Sequence, residues 1–354
     1  SLFPQSKGTE ETLNLPYGSD PRQILAKVLE GFSERNLKPC MAAELEFYLL
    51  PDPGRDKPLR ESLDSLDTLG GNLYALNELD HHSEMLDLLR ETFKTQDLPY
   101  EGIIKESAPA QFEINMAHSD NVMLMADQII RMQRCIRRVA SQCNLIASFM
   151  PKPLDNEAGN GMHIHCSVLE ERGLNIFNDG NDEGSPLLKQ AIAGCLELMP
   201  DSMLIFAPSF NAYRRFQAGN HAPTVPTWGY DNRTTALRVP SGPQAALRIE
   251  HRVAGADANP YLVMAVMLAG ILHGLENKME PPAAIEGNAW DMKHDTPDLP
   301  CLMNVAVEKF LNSPLIEKYL SAEFQLLYGK TKEQELNEFQ RRVTDFEIES
   351  YLRG

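Results

Sequence analysis

The stretch AGNGMHIHCSV (residues 158–168) alternates polar and apolar side chains in its second half, with small apolar residues between the polar ones. The polar positions are His163, His165 and Ser167. Because successive side chains of a β-strand point to opposite faces of the sheet, this pattern predicts a strand with one apolar face and one face bearing two imidazoles. The polar face of such a strand meets either solvent, which is usual, or a functional site.

Three other segments repeat this design: AELEFYLL (43–50), SAPAQFEINMA (107–117) and AALRIEHRV (245–253). For one strand a solvated face is the ordinary explanation, but none of the four polar faces contains a lysine, and neighbouring carboxylates repel unless a cation lies between them. Carboxylates with an imidazole suit Mg²⁺ or Mn²⁺, and arginines suit phosphate, so the combination indicates phosphoryl transfer. The polar positions of these three segments are Glu44, Glu46, Gln111, Glu113, Asn115, Arg248, Glu250 and Arg252.

Composition excludes several other classes of protein. The 354 residues have a formal net charge of −17, which argues against a nucleic-acid partner. The longest apolar run, Tyr261–Leu272, is too short to span a membrane and predicts a buried helix. Six cysteines without a C-x-x-C pair favour a reduced, cytoplasmic protein over a zinc or disulfide framework. No Walker-type or G-x-G-x-x-G motif occurs, so P-loop and Rossmann nucleotide sites are not expected.

Periodicity predicts strands and helices that interleave without recurring βαβ units, which indicates an α+β fold. Asp20 and Pro21 suit the start of a helix over 20–36, and a strand follows it at 40–50. A Pro-, Gly-, Asp- and Ser-rich segment at 51–75 predicts a loop or insertion. Further helices are predicted at 126–144, 186–199 and 258–277 and within 301–353.

Eight segments, in this order, resemble the glutamine synthetase family, and together they cover nearly the whole chain from residue 20. Each segment alone is a weak signal, whereas the ordered set is highly specific. The segments are DPR (20–22), ELEF (44–47), KESAPAQFEIN (105–115), GNGMHIHCS (159–167), NAYRRF (211–216), DNRTTALRVP (231–240), LRIEHRVAGADANPYL (247–262) and DFEIESYL (345–352).

The resemblance implies an architecture. Residues 20–354 would form a glutamine synthetase-type catalytic domain, with a curved antiparallel sheet whose polar, metal-binding face is backed by helices. Residues 1–19 would be the tail of a small β-rich N-terminal domain that is absent from the numbered chain. The family also implies a homo-oligomer, a dodecamer of two stacked hexameric rings.

The resemblance also implies a two-step reaction, in which ATP phosphorylates the γ-carboxylate of glutamate and an amine then attacks the acyl phosphate. At least two Mg²⁺ or Mn²⁺ ions would neutralise charge, and Arg233 would stabilise the phosphoryl group during transfer. One metal ion would be held by Glu46, Glu106 and Glu113, and the second by Glu44, His163 and Glu250. Nucleotide contacts would come from Glu101, His165, Ser167, Arg238 and Arg248. Glutamate contacts would come from the Gly159 backbone, Arg215 and Arg252.

Two departures from the family pattern bear on the substrate. Ala158 precedes Gly159 where the family commonly has asparagine, and QAGNHAP (217–223) replaces P-G-Y-E-A-P, which puts His221 at the position of the glutamate that helps to bind and deprotonate ammonium. Ammonium needs a small, closed, anionic pocket, whereas a neutral imidazole can take a proton from a primary amine. The sequence therefore predicts a diamine or polyamine such as putrescine or spermidine as the amine, rather than ammonium.

Two other functions remain open. A true glutamine synthetase would use ammonium at the same site. A catalytically silent homologue is disfavoured because all six metal-ligand positions and all five arginines are present. The aromatic residues Phe216, Trp228 and Tyr230 would either line a wider mouth for a cationic chain or belong to the core.

Overall fold

A 15-residue strand, β1 (Leu37–Pro51), is the centre of the sheet and pairs directly with three other strands. The computed structural model describes residues 17–54, 57, 76–216, 222–293 and 297–353. Its remaining strands are β2 (Tyr100–Lys105), β3 (Gln111–Met116), β4 (Leu145–Ser148), β5 (Met162–Glu170), β6 (Trp228–Tyr230), β7 (Leu237–Val239) and β8 (Ile249–His251).

The sheet has the strand order β2-β3-β1-β5-β8-β7-β6, and β4 pairs with the end of β1. The pairs along this order are antiparallel, with the exception of β6 and β7, which run parallel. The prediction of an antiparallel sheet therefore needs a correction: the sheet is mixed. The two parallel strands β6 and β7 have only three residues each, and the six residues 231–236 connect them.

Helices cover the apolar back of the sheet. The first, α1 (Pro21–Ser33), is capped by Asp20, whose side chain accepts a hydrogen bond of 2.8 Å from the Arg22 amide, as the sequence predicted. The other helices are α2 (Leu76–His81), α3 (Ser83–Thr95), α4 (Val122–Gln142), α5 (Pro186–Leu198), α6 (Met203–Phe206), α7 (Pro260–Asn277), α8 (Met303–Asn312), α9 (Pro314–Leu320), α10 (Ala322–Gln340) and α11 (Asp345–Tyr351). Short 3₁₀ helices lie at Pro200–Ser202, Phe210–Arg215, Gln244–Ala246 and Ala289–Asp291.

The apolar helix α7 is a core helix, as predicted from the run at 261–272. Among the described residues it is the one helix that is long and apolar enough, by length and composition, to cross a membrane. However, 78% of that apolar window is buried inside the fold, where α7 packs against α1 and α5. Gly194 of α5 meets Gly270 and Gly274 of α7, and a Cβ on Gly194 would lie 2.1 Å from the Gly270 carbonyl oxygen. This contact lets the two helix backbones approach closely.

Two predicted strands are shorter than their sequence patterns indicate. Residues 106–110 form the turn that connects β2 to β3, so only the second half of SAPAQFEINMA is a strand. Arg248 and Arg252 flank the three-residue strand β8 rather than belonging to it. Helices α2 and α3 were not predicted at all, and residues 55–56 and 58–75 of the predicted loop lie outside the described residues.

Candidate active site

Cross-strand pairing brings the polar positions of four strands onto one face of the sheet. Glu44 of β1 lies between Asn115 of β3 and His163 of β5, and His165 of β5 lies opposite Glu250 of β8. Side chains that are directly opposite on neighbouring strands have Cβ atoms only about 5 Å apart. Residues that are up to 206 positions apart in the sequence, such as Glu44 and Glu250, therefore share one small patch.

Within this patch, carboxylates and imidazoles are in direct contact. Glu44 Oε2 lies 3.1 Å from His163 Nδ1, and Glu44 Oε1 lies 2.9 Å from His165 Nε2. Glu250 Oε1 lies 3.8 Å from His163 Nδ1. Among the described residues, two groups of three potential metal ligands have atoms within 4.8 Å of one another, and His163 belongs to both. The groups are Glu44, His163 and Glu250, and Glu46, Glu113 and His163.

The glycine loop that precedes β5 (residues 159–161) lies against this patch, and its two glycines have no side chains to prevent the close approach. The Gly161 amide donates a hydrogen bond of 2.6 Å to Glu46 Oε2. A Cβ on Gly159 would lie 2.5 Å from both Arg215 Cγ and the Pro151 carbonyl oxygen, so no larger residue fits there without movement. The loop thus places the Gly159 backbone beside the Arg215 side chain, and the glutamate-binding role implied for both by the family resemblance stays a prediction.

The arginine-rich side of the patch is organised around Glu250, which is fully buried. Arg238 Nη1 donates to Glu250 Oε2 at 2.7 Å, and Arg252 Nη1 donates to Glu250 Oε1. Arg238 also donates to Asp231, which links the patch to the β6–β7 connection. Burial by itself would raise the pKa of Glu250, but the positive charge of Arg252 and the nearby histidines lower it below its usual value.

A cavity of about 510 Å³ adjoins the patch on the side of β2 and β3. Four of the five predicted nucleotide contacts line it, together with Glu44, which is shared with the carboxylate patch. The four are Glu101, His165, Ser167 and Arg248. Arg248 Nε lies 3.2 Å from His165 Nδ1. The fifth predicted contact, Arg238, does not line this cavity and instead contacts Glu250.

A second cavity, of about 1320 Å³, lies at the β6–β7 edge and includes Arg233 in its lining. Trp228 and Tyr230 form part of its wall. The Lys189 ammonium lies 4.7 Å from the centroids of both aromatic rings, so these rings already hold a cation from the chain itself. Phe216 and Trp228 are buried in the core, whereas Tyr230 is partly exposed.

Comparison with known proteins identifies the family that has these features. Residues 18–351 match the family model described as "Glutamine synthetase, catalytic domain". The chain belongs to the glutamine synthetase family.

Individual relatives agree with this assignment. The chain is 40% identical over 345 residues to gamma-glutamylputrescine synthetase PuuA of Escherichia coli (strain K12). The alignment covers 96% of this chain and 72% of that protein. It is 33% identical to type-1 glutamine synthetase 2 of Dictyostelium discoideum, over 94% of this chain and 64% of that protein. The solved structure of a GmaS/ADP complex superposes with a TM-score of 0.85 at 25% identity, over 96% of this chain and 78% of that one.

The comparisons confirm the predicted family, the glutamine synthetase fold class and the class of enzyme, an ATP-dependent carbon–nitrogen ligase. They do not test individual site residues, so the predicted ligand roles remain predictions. The structure shows where those residues lie. It places Arg215, Arg252 and Gly159 beside the carboxylate patch, and it places Arg233 close enough to Glu106 for its charge to act on the pKa of that carboxyl group.

The carboxylate patch fits a divalent cation by its charge as well as by its donor atoms. Burial and the negative charges of Glu44, Glu46 and Glu106 raise the pKa of Glu113 to about 9. Burial and the charge of Glu46 likewise raise the pKa of Glu106. By contrast, burial would raise the pKa of Glu44, but hydrogen bonds from His163 and His165 lower it below its usual range. Buried carboxylates that repel one another in this way bind a hard cation such as Mg²⁺ or Mn²⁺ favourably.

Two predictions need comment at the level of single residues. Glu106 was predicted to share a metal ion with Glu46 and Glu113, but it is in neither group of potential ligands within 4.8 Å among the described residues, where His163 completes the set instead. His221 was predicted to be catalytic and lies outside the described residues.

Gln111 and Asn160 have a structural role that the sequence did not reveal. Gln111, predicted on the polar face, is 1% exposed and donates at 3.1 Å to both the Gly159 carbonyl and Asn160 Oδ1. Asn160 in turn donates to the Met150 carbonyl at 2.9 Å. The two amides thus fix the glycine loop. The position of Asn160 between two glycines was the available signal, because a polar residue in such a loop often satisfies backbone groups.

Proposed function

We propose that this protein is an ATP-dependent γ-glutamyl-amine synthetase that joins the γ-carboxylate of glutamate to a diamine or polyamine of the putrescine type. The observation that supports it most strongly is the position of Glu44, which contacts both histidines of the carboxylate patch and also lines the 510 Å³ cavity. A nucleotide in that cavity would have its terminal phosphate against the carboxylate patch. Transfer of that phosphate to glutamate is the step that the geometry supports.

The carboxylate patch would hold the metal ions. We propose Glu44, His163 and Glu250 for one Mg²⁺ or Mn²⁺ ion, and Glu46, Glu106 and Glu113 for the other, with His163 near both. When bound, the ions would neutralise negative charge on the transferring phosphoryl group. Arg238 and Arg252 each donate a hydrogen bond to one oxygen of Glu250, which fixes the orientation of its carboxylate.

The glutamate substrate would bind between the glycine loop and the arginines. Arg252 is 8% exposed, and its Nε is a buried donor without a hydrogen-bond partner among the described residues. A buried donor left unpaired is costly, and a substrate carboxylate would satisfy it. Arg215 lies against Gly159 and donates to the Val253 carbonyl at 3.0 Å, which leaves part of its guanidinium for the same ligand. Arg233 would stabilise the phosphoryl group in transfer.

The choice of amine rests on two observations. The E. coli relative at 40% identity is named for putrescine. In addition, His221 occupies the position at which a glutamate would help to bind and deprotonate ammonium, and a neutral imidazole can accept a proton from a primary amine at neutral pH. The Dictyostelium relative is named a glutamine synthetase, so ammonium is the second candidate substrate.

The deciding experiment compares kcat/KM for putrescine, spermidine and ammonium in the full-length protein, with saturating glutamate and Mg·ATP. We expect putrescine or spermidine to exceed ammonium by at least tenfold. The variant His221→Glu should narrow this ratio by improving the use of ammonium, and Arg172→Met, a change on an exposed turn, should leave it unaltered. Preference for ammonium would contradict the proposal, and the absence of any metal-dependent ATP binding would indicate a silent homologue.

We also propose that the protein is a cytoplasmic homo-oligomer. All six cysteines are free, which agrees with a reducing compartment. The C-terminal segment exposes Val343, Phe346, Tyr351 and Leu352, each at least 73% exposed, and α11 has no buried residue. Such an apolar surface is typical of a subunit contact. Light scattering of the full-length protein should give an oligomer, and a monomer would contradict the proposal.

A further inference from the structure

Lys105 and Glu78 form an ion pair beneath the turn that joins β2 to β3. Both side chains are almost completely buried, with Lys105 1% and Glu78 4% exposed. Lys105 Nζ lies 3.5 Å from Glu78 Oε2. A buried ion pair contributes little net stability because the loss of hydration of both charges offsets their attraction. Its location next to the carboxylate patch therefore indicates a role other than stability.

The ion pair holds three backbone groups of the turn. Lys105 Nζ donates to the carbonyl oxygens of Glu106 and Ala108, each at 2.6 Å. Glu78 Oε2 accepts from the Ala110 amide at 2.7 Å. Ala110 has a φ of +55°, a left-handed conformation that residues with a Cβ seldom adopt. The turn is therefore held in a conformation that it would not favour by itself.

This turn places one of the predicted metal ligands and leads directly to another. Glu106 is the first residue of the turn, and β3 begins immediately after it and contains Glu113. Glu113 lies opposite Glu46 on β1. The three carboxylates repel one another, so that a free turn would move Glu106 away from the other two. Hydrogen bonds from a buried ammonium to the turn oppose that movement.

We propose that Lys105 and Glu78 are positioning residues that hold Glu106 near Glu46 and Glu113, and that they thereby set the affinity of this metal site. The second site, at Glu44, His163 and Glu250, lies on β1, β5 and β8, and none of the hydrogen bonds described for Lys105 and Glu78 reaches its three residues. The pair should therefore act chiefly on the site that contains Glu106. This inference rests on the proposed metal-dependent function.

The test is a titration of the metal-free, full-length protein with Mn²⁺ alone. Calorimetry measures the heat of binding, and the electron paramagnetic resonance signal measures the free Mn²⁺. We expect two classes of site in the parent protein, and Glu106→Gln identifies the class to which Glu106 belongs. Glu78→Gln and Lys105→Met should weaken that class by about tenfold or more, the usual effect of losing a residue that supports a metal ligand. The other class should change by less than twofold.

A double variant separates positioning from general destabilisation. If Glu78 acts through Glu106, Glu78→Gln should add almost nothing to the loss caused by Glu106→Gln, because the two changes then remove the same interaction. As a control, Asp127→Asn breaks the ion pair between α4 and Arg22 in the helical layer, and both classes should stay unchanged.

Three results would each overturn the inference. They are unchanged Mn²⁺ affinities in Glu78→Gln, equal weakening of both classes of metal site, and additive losses of affinity in the double variant. If Lys105→Met does not fold, the result from Glu78→Gln alone decides. We expect that variant to fold, because the Lys105 ammonium keeps its hydrogen bonds to the Glu106 and Ala108 carbonyl oxygens. A parent protein that binds no Mn²⁺ would contradict the proposed function itself, whereas two classes in the parent with unaffected variants would contradict only this inference.

Discussion

Glu113 and Glu250 are two buried glutamates on the same face of one sheet, and their pKa values shift in opposite directions. Glu113 is 7% exposed and Glu250 is fully buried. Burial alone would raise both pKa values. The charges of Glu44, Glu46 and Glu106 add to that effect at Glu113, whereas Arg252 and the histidines reverse it at Glu250. The neighbours, and not the depth of burial, decide the charge state of each carboxyl group.

The two halves of the sheet that hold these residues also differ in construction. On the carboxylate side, β1 has 15 residues and β5 has 9, and long regular pairing fixes the side chains. On the arginine side, β6, β7 and β8 have 3 residues each, and ion pairs around Glu250 supply the order. The first half contributes mainly carboxylates and imidazoles to the site face, and the second contributes arginines. Glu250 is the residue at which they meet.

The largest expected effect on activity comes from removing the Glu250 side chain. Glu250→Ala should reduce the turnover rate about a hundredfold or more, because it removes a proposed metal ligand and leaves Arg238 and Arg252 without their common partner. Initial rates at saturating substrates, with circular dichroism as a check on folding, measure the effect. Activity within a few-fold of the parent would show that the two halves do not depend on Glu250.

A pH series tests the opposite shifts directly. Metal binding requires the Glu113 carboxylate to be deprotonated, so with a pKa of about 9 the affinity for Mn²⁺ should rise with pH by up to about tenfold per unit, and level off near pH 9. Glu113→Gln should remove most of this dependence. Calorimetry in buffers with different ionisation enthalpies should give close to one proton released per bound ion at pH 7, and no release would contradict the raised pKa.

The same shift has a consequence for the stability of the metal-free protein. The folded pKa of Glu113 is about 9, whereas a glutamate in the unfolded chain titrates near ~4.3. Between these pH values the folded state binds a proton that the unfolded state has released, so the contribution of Glu113 to the free energy of unfolding falls as the pH rises. In thermal melts from pH 5 to pH 9, the melting temperature of the parent should fall more steeply with pH than that of Glu113→Gln. The neutral amide of the variant does not titrate, so this contribution is absent there.

A smaller effect should separate the nucleotide cavity from the metal sites. Arg248 lines the cavity and contacts His165 at 3.2 Å, so Arg248→Met should weaken Mg·ATP binding by about tenfold, the loss expected for a charged hydrogen bond. Mn²⁺ binding without nucleotide should not change. The exposed Arg172→Met is the control for the lost charge, and equal weakening in both variants would exclude a specific contact.

The smallest predicted effect concerns Ser167, which lies on the wall of the same cavity. Ser167→Ala should raise KM for ATP by only a few-fold, because a neutral hydrogen bond contributes about 1 kcal/mol. The turnover rate should stay near that of the parent, since Ser167 contacts no residue of the carboxylate patch among the described hydrogen bonds. A large loss of turnover would show that the two regions are coupled more tightly than their contacts indicate.

Much of the carboxylate half could be predicted from the sequence because its strands are long. Alternation is visible over several positions in residues 43–47 and 162–168, and each alternation fixes one face. The arginine half was harder, because three residues are too few to show a period. The sequence therefore indicated a longer strand at 245–253 than β8. On the carboxylate side it also indicated a longer strand at 107–117 than β3. The helices at 76–95 follow a turn-rich segment, and their short periodic pattern was not recognised.

The sequence by itself determined the family, the fold class and the identity of most polar residues on the site face, because motif order and side-chain alternation are local properties of the chain. Only the tertiary structure decided which polar residues meet. Strand pairing brought Glu250 between Arg238 and Arg252, placed His163 within reach of both groups of carboxylates, and buried Lys105 under the turn that carries Glu106. These contacts join residues far apart in the chain, and their energies depend on distance and burial, which no local pattern of residues contains.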